Sequence, residues 1–233
     1  MPEERNRIET DRLSTLLLCP TPRARQQLAA EGLVDGVHVV GDVMLDAMLD
    51  SLARSGGAGD DDGGAGFGWP RHGYVVATIH RAATTDAADR LAQLVEALDG
   101  LPWPVALPMH PRTTARLAAT GVSPGRAVRV LPPLGHAAML RLVASAHALL
   151  TDSGGLQKEA YWLGVPCVTF RRETEWPETI EAGWNRLVGD DPACIGPALA
   201  AASRPSLRPP VLGEPGAGQR IVALLETARR GRR

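Results

Sequence analysis

Short continuous apolar runs and apolar residues at helical spacing alternate along this chain, the rhythm of strands followed by helices. The pattern predicts helices at Asn6–Leu13, Pro22–Glu31 and Val43–Leu52, with short buried strands at Leu16–Cys19 and Val37–Val40 between them. Ser55–Arg71, SGGAGDDDGGAGFGWPR, has no usable hydrophobic period and reads as a flexible linker. Beyond it, strands at Tyr74–Thr78, Val105–Met109, Val128–Leu131, Ala148–Leu150 and Cys167–Phe170 alternate with helices near Asp86–Leu98, Thr113–Ala119, Ala137–Ser145 and Leu156–Leu163. Elements of these lengths in this order imply the α/β class, a doubly wound parallel sheet covered by helices on both faces. The chain then divides into an α/β segment at 1–54, the linker at 55–71, a Rossmann-like domain at 72–205, and a tail with a helix at 206–233.

Ligands of such sheets bind at the carboxyl ends of the strands, and His80, His110 and Ser153 each fall just after a predicted strand. The richest stretch is Thr151–Glu159, TDSGGLQKE, a strand-to-helix turn in which Asp152 or Ser153 caps the helix. The backbone N–H groups of Gly154 and Gly155 can approach an anion closely, and the positive end of the helix dipole favours one. Glu159, a turn and a half further on, can reach ribose hydroxyls. The same residues also describe an ordinary capped helix with a tight turn. His80 reads either as a satisfied imidazole at a strand end or, beside Arg81, as a donor to a departing anionic group. His110 precedes Pro111, which fixes the backbone; Arg112 either faces the site or pairs with a helix acid. Glu3 and Glu4, taken alone, are favourable charges at a helix N-terminus.

The blocks PEERNR (Pro2–Arg7), HVVGDVMLDAM (His38–Met48), TIHRAATTD (Thr78–Asp86), PMHPRT (Pro108–Thr113) and TDSGGLQKEA, followed by GVPCVTFRRETEWPETIEAGWNRLVG (Gly164–Gly189), run through nearly the whole chain. In their residues, order and spacing they resemble the non-hydrolysing UDP-N-acetylglucosamine 2-epimerase family. The resemblance implies a GT-B-type fold of two similar α/β halves with a nucleotide sugar in the cleft between them. This chain would be the C-terminal Rossmann-like domain preceded by a remnant of the N-terminal one. Members invert C2 of UDP-GlcNAc to give UDP-ManNAc by eliminating UDP to a glycal and adding it back, with no nicotinamide, metal or other cofactor. The same resemblance assigns Glu3 to proton transfer at the sugar C2 and His80 to the catalytic site. It places Arg81, His110, Leu134, Met139, Ser153, Gly154, Gly155, Glu159 and Trp176 around the substrate, with Leu134 to Met139 as the wall against the uracil.

Several positions depart from the family pattern. Ala83 and Thr84 stand where the HRxEN motif has Glu and Asn, removing polar support of the histidine. Trp176 replaces the arginine of the commoner TERPE form, and Met139 an aromatic residue. The PEExNR block, which begins at residue 2, lies well inside full-length members. The chain is therefore expected to be a C-terminal portion, either a natural short form or a product started at an internal Met, and poorly active alone. Two other readings stand beside it. One is a UDP-sugar-binding module or half-enzyme working with a separate N-terminal half. The other is a GT-B glycosyltransferase, disfavoured because TDSGGLQKEA followed by TEWPETIEAGWN is closer to the epimerases.

Composition narrows the partners. With 233 residues and 44% hydrophobic content the chain can bury a sizeable core. Net charge is −1 and the arginines are spread along the chain, which argues against a nucleic-acid partner. Lys158 is the only lysine. Cys19, Cys167 and Cys194 are too widely spaced for a metal cluster and are expected reduced and buried. No apolar run has membrane-spanning length and no signal peptide opens the chain, so a cytoplasmic location follows as an expectation. A second copy of the chain or a missing N-terminal half remain the expected protein partners.

Overall fold

The computed structural model describes residues 2–56, 68–81, 85 and 87–230, and the side chains of Pro2, Glu3, Ala88 and Arg112 are outside that description. Two compact units emerge: Met1–Leu49 together with Pro210–Arg233, and Asp50–Pro209. The sequence reading set 206–233 apart as a tail, whereas the structure groups Pro210–Arg233 with the N-terminal residues. Most of the expected linker, 57–67, lies outside the described residues, as do Ala83 and Thr84.

In the first unit, strands β1 (Leu17–Cys19) and β2 (Val37–Val39) form a parallel pair connected through helix α2 (Pro22–Ala30). Helix α1 (Pro2–Leu13) precedes them, beginning earlier than the apolar period indicates because its first turn is polar. Thr21 caps α2, its hydroxyl accepting the Ala24 N–H at 3.2 Å, with Pro22 at the first helical position. Asp46, on helix α3 (Val43–Arg54), accepts the N–H groups of Gly216 and Gly218 at 2.6 and 2.8 Å. These are the open donors at the start of the last helix, α10 (Ala217–Arg230), so a distant carboxylate supplies its cap.

The second unit holds six parallel strands: β3 (Val75–Thr78), β4 (Val105–Pro108), β5 (Val128–Leu131), β6 (Ala148–Thr151), β7 (Cys167–Thr169) and β8 (Asn185–Leu187). Their spatial order is β5-β4-β3-β6-β7-β8. Central strands β3 and β6 are buried at every position, which is why they read as apolar runs up to a terminal threonine. Alternate side chains enter two separate cores. Val75, Ala77 and Leu150 pack with helices α4 (Ala88–Asp99), α5 (Pro111–Ala119) and α9 (Ile195–Ala200), while Val76 and Leu149 pack with α6 (His136–Ala144) and α7 (Gly154–Leu163). Helices therefore cover both faces, the doubly wound arrangement the alternation implied. Gly164 ends α7 at φ 68°, a left-handed conformation that favours glycine and explains the Gly of the GVP block.

Four short elements escape the sequence pattern: α8 (Pro177–Glu181), β8, a 3-10 turn at Pro192–Cys194, and α9. Each is too short to show a hydrophobic period. All three cysteines are free, but Cys194 is exposed rather than buried because it ends that surface turn. Burial pushes the Cys167 thiol up to about 12. Among the described residues no helix is long and apolar enough to cross a membrane.

Candidate active site

The chain leaves β3 outward through β4 to β5, then returns to lay β6 on the other side of β3. The topological switch point is therefore the crevice beyond the carboxyl ends of β3 and β6. Register aligns Thr78 with Thr151, and their buried hydroxyls share a 2.7 Å hydrogen bond. The residues that follow, Ile79-His80-Arg81 and Asp152-Ser153-Gly154, are thereby set side by side.

Asp152 is fully buried and holds the β3 loop rather than the helix. Its carboxylate accepts the backbone N–H of His80 at 3.1 Å and of Arg81 at 2.9 Å, and lies 2.8 Å from His80 Nδ1. Ser153 is the cap: its hydroxyl accepts the Leu156 N–H at 3.4 Å, and its own N–H donates to Thr151 Oγ1 at 3.0 Å. Gly154 and Gly155 then occupy the first two helical positions of α7, whose N–H groups have no acceptor inside a helix. The His80 ring is 60% exposed over a carboxylate that is 1% exposed. The hydrogen bond to Asp152, reinforced by its charge, raises the imidazole pKa above 6.5 against the opposing effect of burial. Committing Nδ1 to Asp152 leaves Nε2 to serve a ligand.

A second wall comes from the loop after β7. Arg171 makes a two-pronged pair with Glu175, both contacts 2.7 Å, and Arg81 approaches the same carboxylate at 3.7 Å. The Arg171 hydrogen bonds hold the Glu175 carboxyl below its ordinary value despite burial. A Cβ placed on Gly154 would lie 3.1 Å from Glu175 Oε2 and 3.5 Å from Trp176 Nε1, so these side chains border the space before α7. This loop hangs on a buried amide cluster. Gln157 Oε1 accepts from Thr174 Oγ1 at 2.6 Å and Asn185 Nδ2 at 3.2 Å. Asn185 also bonds Thr169 at 2.7 Å and Thr179 at 3.1 Å. Gln of TDSGGLQ, both threonines of TEWPET and Asn of EAGWN thus form one network.

Glu159 is buried on α7, and its Oε1 stands 2.7 Å from Nε2 of His136, the first residue of α6. Leu134 and Met139, the expected uracil wall, are half-buried and pack on the core face containing Tyr74 and Val76. His110 is exposed one strand further out, past β4, where its carbonyl accepts the Thr113 and Thr114 N–H groups that open α5. Glu3 lies in α1 of the other unit and its side chain is outside the described residues, as is that of Arg112. A hollow of about 460 Å3, lined by Pro166, Ile180, Trp184 and Arg186, holds none of these candidates.

Sequence reasoning missed Asp152 as the partner of His80, Glu175 with Arg171, and His136. Asp152 sat in the quoted motif, but its role depends on β3 and β6 being neighbours, which spacing does not reveal. It gives the His80 ring a buried polar partner.

The six-stranded doubly wound sheet and the glycine turn at its switch point define an α/β domain of the kind that holds phosphorylated ligands at helix N-termini. The family model described as UDP-N-acetylglucosamine 2-epimerase matches residues 1–226, and the chain belongs to that family. It is 42% identical over 199 residues to the UDP-2,3-diacetamido-2,3-dideoxy-D-glucuronate 2-epimerase of Pseudomonas aeruginosa, covering 81% of this chain and 52% of that protein. It is 38% identical to a UDP-N-acetylglucosamine 2-epimerase homolog of Methanococcus maripaludis, covering 82% of this chain and 54% of the relative. The crystal structure of Methanocaldococcus jannaschii UDP-GlcNAc 2-epimerase in complex with UDP-GlcNAc and UDP is similar, with TM-score 0.84 and 34% identity over 97% of this chain and 65% of that one. The chain thus spans about half the length of the curated relatives it matches.

Proposed function

We propose that this chain binds the UDP portion of a UDP-2-acetamido sugar at the switch point and provides the diphosphate-holding half of a 2-epimerase, with UDP-N-acetylglucosamine as the first substrate to test. The observation that carries the reading is His80, held on buried Asp152, beside the glycine turn of α7. In the reaction a base takes the C2 proton as the C1–O bond breaks. The electron pair goes to the diphosphate and a C1=C2 double bond forms. UDP is then added back at C1 while a proton reaches C2 from the opposite face. The C2 hydrogen has no neighbouring carbonyl to acidify it, so stabilising the departing diphosphate is the main task. The N–H groups of Gly154 and Gly155, the dipole of α7 and the His80 imidazolium are suited to it. Glu159 takes the ribose hydroxyls, with Leu134 and Met139 beneath the uracil, and Arg81, Trp176 and His110 near the phosphates and sugar. Glu3 remains the family-based candidate for the C2 proton.

The P. aeruginosa relative favours a second sugar, UDP-2,3-diacetamido-2,3-dideoxy-D-glucuronate. Both substrates share the UDP and the 2-acetamido group, so they are to be compared side by side. Calorimetry tests the site itself. The chain should bind UDP, and Gly154→Val should weaken binding about tenfold or more by filling the anion position. The added Cβ meets the movable end of Glu175, so the variant should still fold. Undiminished binding by the variant would exclude the glycine turn as the diphosphate site.

A further inference from the structure

We infer that Trp176 and Lys158 work as one unit, in which the Trp176 indole N–H donates a hydrogen bond to the diphosphate and the Lys158 ammonium on the ring face polarises and orients it. The proposal rests on the glycine turn being the diphosphate site.

Residues 154 and 158 are one helical step of four apart, so they share a face of α7. Trp176 spans that face. Its Nε1 lies 3.5 Å from the position of a Cβ on Gly154, while the Lys158 Nζ stands over the indole at 4.4 Å from the ring centroid. The N–H end of the ring therefore borders the space before the helix N-terminus, and the cation sits behind it. Indole nitrogen is a donor only, and among the described residues no acceptor engages this N–H. The backbone of Trp176 is fixed at both ends: its N–H donates to Thr174 Oγ1 at 3.1 Å, and its carbonyl accepts from Thr179 Oγ1 at 2.7 Å. Both threonines belong to the buried amide cluster around Asn185 and Gln157, so the ring is held by the core of the unit rather than by the surface.

Lys158 is the chain's only lysine and is 5% exposed, with its Nζ also 5.7 Å from the Trp162 ring. The faces of two indoles contribute negative density to the environment of this ammonium. Withdrawal of ring density by the cation makes the indole N–H a stronger donor, the polarisation expected where hydrogen-bonding groups act in series at low dielectric. The commoner arginine at position 176 would bring a guanidinium against this buried ammonium, and the two like charges would repel. Residues 158 and 176 are therefore coupled, and tryptophan is the form of the phosphate donor that tolerates Lys158.

The test is UDP calorimetry on Trp176→Phe, Lys158→Met and their combination, with circular dichroism to verify folding. Trp176→Phe keeps the ring and deletes the N–H, and should weaken UDP about five- to twentyfold, the scale of one hydrogen bond to a charged acceptor. Lys158→Met should cost several-fold, and the combination no more than about the Trp176→Phe loss, because the cation acts through the ring. Trp176→Arg alone should bind poorly, whereas Trp176→Arg with Lys158→Glu should recover to within about threefold of the parent. In the parent protein, the 15N-indole resonance that disappears in Trp176→Phe should move downfield on UDP addition, a readout independent of whether any Lys158 variant folds. Multiplying losses, or an unmoved indole resonance in a UDP-binding parent, would overturn the unit while leaving the site intact. A parent that binds no UDP would overturn the site and the unit together.

Discussion

His80 carries the charge balance of the crevice because its proton is shared with a carboxylate that solvent does not reach. A pKa raised in the folded protein means that the fold holds this proton more tightly than the unfolded chain does. Its contribution to stability is complete below the ordinary histidine value of 6.5 and is lost as pH rises through the elevated one. With the diphosphate at the proposed position, the same sign applies to ligand binding: UDP affinity should fall as pH climbs through that range, because the imidazolium would become neutral. Calorimetry across the range should show this fall in the parent and a flat profile in His80→Asn, with the two converging at high pH; parallel profiles would assign the titration to another group. At this scale the sequence was half legible. Ser153 and Gly154 announced a capped turn by residue type alone, but Asp152 was indistinguishable from a cap until β6 was known to neighbour β3.

The elements around the site divide into those that show a period and those that do not. Strands β3, β4 and β6 are mainly apolar runs flanked by turns, β5 has one arginine among apolar residues, and α4 to α7 are long enough to repeat, so the pattern reveals them. Helix α8 and strand β8 have five and three residues, and they exist because the amide of Asn185 ties them to α7 and β7. Tertiary hydrogen bonding, not local propensity, makes them regular. Replacing Asn185 by Leu, close to it in volume, should therefore leave Thr169 Oγ1 and Gln157 Oε1 under-bonded in a dry interior, at a cost of about 2–3 kcal/mol. Urea denaturation should show the midpoint moving down with little change in slope. UDP affinity should drop as well, because the Thr174–Trp176 loop loses its tether, whereas a variant of unchanged stability would make the amide cluster incidental.

Across the whole molecule, the relatives that match this chain carry nearly as much sequence again outside the matched region. Joining these 233 residues to the part of the M. maripaludis relative that they do not match should raise exchange of the sugar C2 proton with solvent deuterium well above that of the chain alone. In the joined protein, His80→Asn should reduce exchange by a factor on the order of 10² or more, the scale of a positioned proton-transfer group. Robust exchange by the 233 residues alone would show that the relatives' further sequence is dispensable for the chemistry. The order of strands also has a consequence for how the protein is made. At synthesis rates of ~5–20 residues per second, β3 emerges and gains β4 on one edge, then waits on the order of 2–9 s for β6 to cover the other. During that interval a strand that is buried at every position in the finished fold presents open backbone groups, a template for pairing with another nascent chain. Ribosome spacing and chaperone supply should therefore affect how much of this chain escapes pairing with a neighbour while it is being made.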